Sequence, residues 1–106
     1  MQIELLEAAQ AELDQAIEYY ARESAGLGDE FLAEVLGTLE RITEHPHAWH
    51  SYSKRTRRCQ MRRFPYGVIY LISMERILVV AIAHLHRKPG YWKSRLDSRR
   101  QGTDHD

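Results

Sequence analysis

The sequence predicts an α+β domain in the order β-α-α-β-β-β, with an N-terminal helical hairpin packed on one face of a small, antiparallel-rich sheet. Three observations carry that prediction. Apolar residues recur at helical spacing over residues 7–23 and again over 29–44, and a glycine-bearing break divides the two stretches. Two short apolar runs, 68–72 and 77–83, are rich in β-branched residues and separated only by Ser73-Met74-Glu75-Arg76, a length that suits an antiparallel hairpin. A short alternating segment, residues 2–6, stands ahead of the first helical stretch.

In the first helix Ala9, Leu13, Ala16, Ile17 and Tyr20 form the apolar stripe, and Glu12, Asp14, Gln15, Glu18 and Arg22 fall mostly elsewhere. Gly26 and Gly28 then favour a helix stop and a tight reversal. The second helix has the stronger stripe: Phe31, Leu32, Val35, Leu36, Leu39 and Ile42. Asp29 and Glu30 sit in its first turn, where the helix dipole favours negative charge. Pro46 ends it, because the residue before a proline avoids helical geometry. Residues 45–56 have no period and read as a loop. Residues 57–64, with four arginines, read as a polar strand suited to an edge or a binding surface. The two apolar runs do not alternate with polar residues, so both of their faces are expected to be covered. One face belongs to the helices. The segment around Tyr91 and Trp92, a second copy of the chain or a partner protein is left to cover the other. Residues 1–96 are expected to form one domain and 97–106 a polar, disordered tail.

Composition narrows the function. No apolar stretch is long enough to span a bilayer and the first residues do not resemble a signal peptide, so the expected location is the cytoplasm. The single cysteine, Cys59, suits a reducing compartment and reads as a small strand residue. The formal net charge of zero conceals a division: residues 1–50 carry 11 acidic and two basic side chains, a net −9, and residues 51–106 carry 13 basic and four acidic ones, a net +9. Either the halves pair across the fold, or each meets a different partner.

No cofactor motif, Gly-rich phosphate loop or zinc spacing occurs. His45/His47 and His84/His86 have no acidic or sulfur ligand near them in sequence, so no metal is expected. The basic side chains that include Arg58, Arg62, Arg63, Arg87, Lys88 and Arg95 are instead suited to a phosphate backbone, with Tyr91 and Trp92 as stacking surfaces. The alternative for Trp92 is packing against the sheet. Metal-free RNA cleavage needs a cation to stabilise the phosphorane and a His or Tyr to move a proton; Arg62, Arg63, His84, Arg87 and Tyr91 are the right types.

Residues 12–49, 57–72 and 77–96 resemble the RelE/ParE superfamily of toxins from bacterial type II toxin–antitoxin modules. The Arg63-Phe64-Pro65-Tyr66 step and the ending His84-x-x-Arg87-x-Pro89-x-Tyr91-Trp92 carry most of the likeness, which is nearest to ParE-like and plasmid stabilisation sequences. The resemblance implies a growth inhibitor blocked by a cognate antitoxin and acting, in ParE-like members, on DNA gyrase. RelE-like members cut mRNA on the ribosome, and in that case Arg62, Arg63, His84, Arg87 and Tyr91 would be the catalytic set. Arg58, Lys88, Trp92 and Arg95 are the expected binding residues in either case. A third reading is an inactive module that only binds antitoxin. Homodimerisation is left open.

Overall fold

The computed structural model describes residues 1–96; the expected tail at 97–106 lies outside the described residues. The chain runs β1 (Gln2–Leu5), α1 (Glu7–Glu23), α2 (Leu27–Glu44), β2 (His50–Ser51), β3 (Arg57–Gln60), β4 (Tyr66–Ser73) and β5 (Arg76–His84). It therefore contains one strand more than the sequence suggests, because the segment read as a loop includes two residues, His50 and Ser51, that pair with Arg58 and Arg57. The sheet order is β1-β5-β4-β3-β2. β1 runs parallel to β5 and the other pairings are antiparallel. The apolar hairpin β4–β5 thus lies at the centre, as its pattern implies. Met74 and Glu75 form its turn with φ of 50° and 63°, the left-handed geometry whose twist matches two antiparallel strands.

Both faces of the central strands are covered. On the first, Val68, Tyr70, Ile77, Val79 and Ile82 meet Ala9, Leu13, Ala16, Phe31, Val35 and Ile42 from the two helices. Phe31, Tyr20, Phe64 and Tyr66 extend this core at the open end of the hairpin, with ring centroids 4.9–5.2 Å apart for most pairs. In α2 the buried stripe is Phe31, Val35, Thr38 and Ile42; Leu36, expected inside, is 55% exposed. Thr38 tolerates burial because its hydroxyl donates to the Glu34 carbonyl one turn back, at 2.8 Å. The helices approach closely at Gly28, where a Cβ would stand 2.8 Å from the Ile17 carbonyl oxygen.

The second face holds Ile69, Leu71, Leu78, Val80, Ala81 and Ala83, and the chain covers it with its own C-terminal segment. Trp92 is 1% exposed there and Leu96 is buried beside it. Of the three covers that the sequence leaves open for this face, the segment around Tyr91 and Trp92 is the one found. Register explains why two consecutive residues face this way. Pairing steps from Ile69↔Ala81 to Tyr70↔Val79, so Val80 is an extra residue, a β-bulge that re-phases the strand.

Candidate functional site

β1 is shorter than β5. Its pairing stops at Leu5↔Val79, followed by one bond from the Leu6 N–H to the Val79 carbonyl at 3.0 Å. Beyond that point the rim of β5 has polar backbone groups and, among the described residues, no neighbouring strand. Side chains take its place. Glu12 of α1 accepts from the Ile82 N–H at 3.0 Å, and Arg95 donates to the Val80 carbonyl at 2.9 Å. Arg95 also forks onto both Glu12 oxygens at 3.0 and 2.9 Å, and the Tyr91 hydroxyl donates to Glu12 at 2.7 Å. One carboxylate thus accepts four hydrogen bonds and ties residues 91–95 to the first helix. Burial and the bond to Glu12 both raise the Tyr91 hydroxyl above its ordinary range and keep it protonated. The bond to Glu12 likewise holds Arg95 firmly charged.

Above this latch, the loop after β5 carries Arg87 and Lys88 to the mouth of a shallow crevice, about 20 Å³ in volume, that Arg58, His84, Tyr52, Tyr91 and Trp92 also line. The Arg87 guanidinium lies over the Tyr91 ring at 3.9 Å and the Arg58 guanidinium over the Tyr52 ring at 4.6 Å. Gly67 makes room for Arg58, since a Cβ there would be 3.1 Å from the Cγ and Cδ of that side chain. The residue acts through its missing side chain, within β4. His84 accepts the His86 N–H on Nδ1 at 3.0 Å, so in the neutral ring the proton sits on Nε2.

The structure therefore gathers Arg58, His84, Arg87, Lys88 and Tyr91 in one place, with Arg95 beneath. It puts Arg62 and Arg63 in another. Those two occupy the β3–β4 connection over α2, where both backbone N–H groups donate to Glu34 and the Arg63 side chain donates to Glu30 at 2.8 Å. Trp92 packs against the sheet and its ring is closed to a ligand. Burial raises the Cys59 thiol, which sits in the core of the other face. Among the described residues no three His, Cys, Asp or Glu side chains come together as a metal site. The charge division is partly internal: of the three ion pairs among the described residues, Arg63–Glu30 and Arg95–Glu12 join the acidic half to the basic half, and only Arg22–Glu18 stays within one helix. Glu12 escaped the sequence reading as a site residue. The signal was present, because residues 9, 12 and 16 share one helical face and Glu12 stands on the buried stripe.

The profile described as ParE toxin of type II toxin-antitoxin system, parDE, matches residues 3–89 of this chain. The chain belongs to the ParE toxin family. This ParE-family protein is accordingly the toxin component of a type II toxin–antitoxin system. Its fold is similar to a chain of the chromosomal ParDE TA system from P. aeruginosa, with a TM-score of 0.61 and 18% sequence identity over 79% of this chain and 95% of that one. No curated protein is similar enough in sequence to count as a match. The family match stops short of Tyr91, Trp92 and Arg95, the residues that fasten the C-terminal segment to the core. Among the described residues, no helix of this ParE-family chain is long and apolar enough to cross a membrane.

Proposed function

We propose that this ParE-family toxin arrests growth by acting on DNA gyrase in the cytoplasm and is neutralised by a cognate antitoxin. The observation that carries the choice of gyrase over ribosome-bound mRNA is the state of Tyr91. A tyrosine that moves a proton during RNA cleavage needs its oxygen free at the scissile phosphate and a proton within reach of neutral pH. Here the hydroxyl is spent on Glu12, and burial holds its proton tightly. Arg62 and Arg63, which would complete a cationic catalytic set, stand at a different part of the surface, where their backbone N–H groups donate to Glu34 of α2 and the Arg63 side chain pairs with Glu30. Family membership supports the antitoxin, and the ParDE neighbour agrees with it.

The test is a supercoiling assay with purified gyrase and this chain. Trapped double-strand breaks, abolished by the protein encoded in the adjoining reading frame, are the expected result. Normal supercoiling with codon-dependent cuts in translated messages would overturn the gyrase assignment in favour of the nuclease. Normal growth after verified expression of folded protein would overturn both and leave an inactive antitoxin-binding module.

A further inference from the structure

The crevice beside Tyr52 and Tyr91 has a property that neither the latch nor the family assignment requires. Its three cations, Arg58, Arg87 and Lys88, have no carboxylate partner among the described residues, whereas Arg22, Arg63 and Arg95 each have one. Among the described residues no acidic side chain lines the crevice, and the nearby Glu12 is neutralised by Arg95. Both arginines are also held in place. Each guanidinium carbon stands over a tyrosine ring, 4.6 Å from the Tyr52 centroid for Arg58 and 3.9 Å from the Tyr91 centroid for Arg87, a contact with the π face that consumes none of the five N–H donors. Two oriented forks with unspent donors, a lysine and a histidine N–H around a space for about one water-sized group make a receptor for a small anion presented at a surface.

We infer that this crevice binds the phosphodiester backbone of a nucleic acid, through Arg58, Arg87 and Lys88, without reading its sequence. The stacking geometry decides against base recognition. Recognition of unstacked bases needs free aromatic faces, but Arg58 and Arg87 already lie on Tyr52 and Tyr91, and Trp92 is buried. What is offered to a ligand is charge and N–H donors, which is the chemistry of backbone contact in a duplex. An acidic protein segment offers carboxylates instead. Planar carboxylates match one fork each, whereas a phosphate has oxygens for both forks and the ammonium at once, and three cations lining one crevice favour it. The inference does not depend on the gyrase reading, since it concerns binding by the isolated chain.

The experiment is fluorescence anisotropy of a labelled 20-base-pair DNA duplex titrated with the purified chain at several salt concentrations. Three phosphate contacts give a log–log salt slope of about −2.7, a loss of about fortyfold in affinity between 50 and 200 mM salt. Lys88→Ala, at an exposed position, should reduce that slope to about −1.8, and joint replacement of Arg58 and Arg87 by Ala to about −0.9. Arg22→Ala, far along α1, should leave it unchanged. A duplex RNA of equal length identifies the source, since the tighter of the two is the better fit and either supports the crevice. Three results overturn the inference: no binding at 50 mM salt, binding indifferent to Arg58, Arg87 and Lys88, or a polyglutamate peptide of equal charge that binds as tightly as the duplex and is lost in the same variants. Unchanged thermal melting of Lys88→Ala keeps the outcome readable if the double variant fails to fold.

Discussion

Replacing Glu12 by alanine removes the shared acceptor of the latch, and the structure sets the size of the effect. Four hydrogen bonds of 2.7–3.0 Å end on this carboxylate, from Tyr91, twice from Arg95 and from the Ile82 backbone. The Glu12 and Arg95 side chains are 15% and 21% exposed. Removing one partner of a buried ion pair costs about 3–5 kcal/mol, because the other charge stays buried without compensation. Partial access to water favours the lower end, about 3 kcal/mol. For a domain of this size that corresponds to a fall of about 12 °C or more in Tm. Glu12→Gln keeps an acceptor and loses the charge, and should cost about 1–2 kcal/mol. Urea unfolding measures both. Trp92 emission, followed in a Trp49→Phe background, should shift to the red in Glu12→Ala as the segment loosens from the sheet. A double-mutant cycle with Arg95→Met should return a coupling of at least about 1 kcal/mol. A loss below about 1 kcal/mol for the alanine variant, with Trp92 emission unmoved and the two substitutions additive, would refute the latch.

Three further outcomes follow from groups elsewhere in the fold. Tyr70 is pushed up to about 12 by burial, its hydroxyl donating to the Pro46 carbonyl at 2.6 Å, and Tyr91 is raised as well. The unfolded chain therefore loses these protons first, from its ordinary value of about 10 upward, and stability should fall as pH rises from 10 towards 12. Each group contributes at most about 1.4 kcal/mol per pH unit, and Tyr70→Phe or Tyr91→Phe should flatten the decline in urea midpoint. Gly28→Ala forces a Cβ to within 2.8 Å of the Ile17 carbonyl oxygen, and thermal melting should show the helical hairpin destabilised by about 2 kcal/mol through overpacking. Cys59, buried and with its thiol raised, should react with a disulfide reagent only as fast as the protein unfolds; rapid native-state labelling would contradict its position in the core.

The elements that the sequence revealed are those whose evidence is local. The stripes of α1 and α2 and the uniformly apolar β4 and β5 declare their period within a dozen residues. β2 has two residues and no pattern to detect. β1 was visible as a strand, but its parallel place beside β5 depends on pairing across more than 70 residues. The exposed Leu36 and buried Thr38 show the limit of reading a stripe by residue type alone, since packing against the sheet chose the face and a backbone carbonyl satisfied the hydroxyl. The five residues named as a candidate catalytic set fall in two places. His84, Arg87 and Tyr91 follow one another after β5 and stay together, but Arg62 and Arg63 are drawn over α2 by Glu30 and Glu34, carboxylates about thirty residues away in sequence. The grouping of Arg58 with Arg87 and Lys88 depended on register: Arg58 pairs with Ile69, which faces Ala81, near the end of the strand that leads into the basic loop.

The bonds between Glu12 and Arg95 also have a bearing on how the molecule comes into being. A ribosome delivers the first helix long before the arginine that fastens it, and β1 likewise must wait for the penultimate stretch of the chain. Synthesis interrupted ahead of Trp92 would release a polypeptide whose middle strands lack their lining on one side, a species prone to aggregate rather than a weakened toxin.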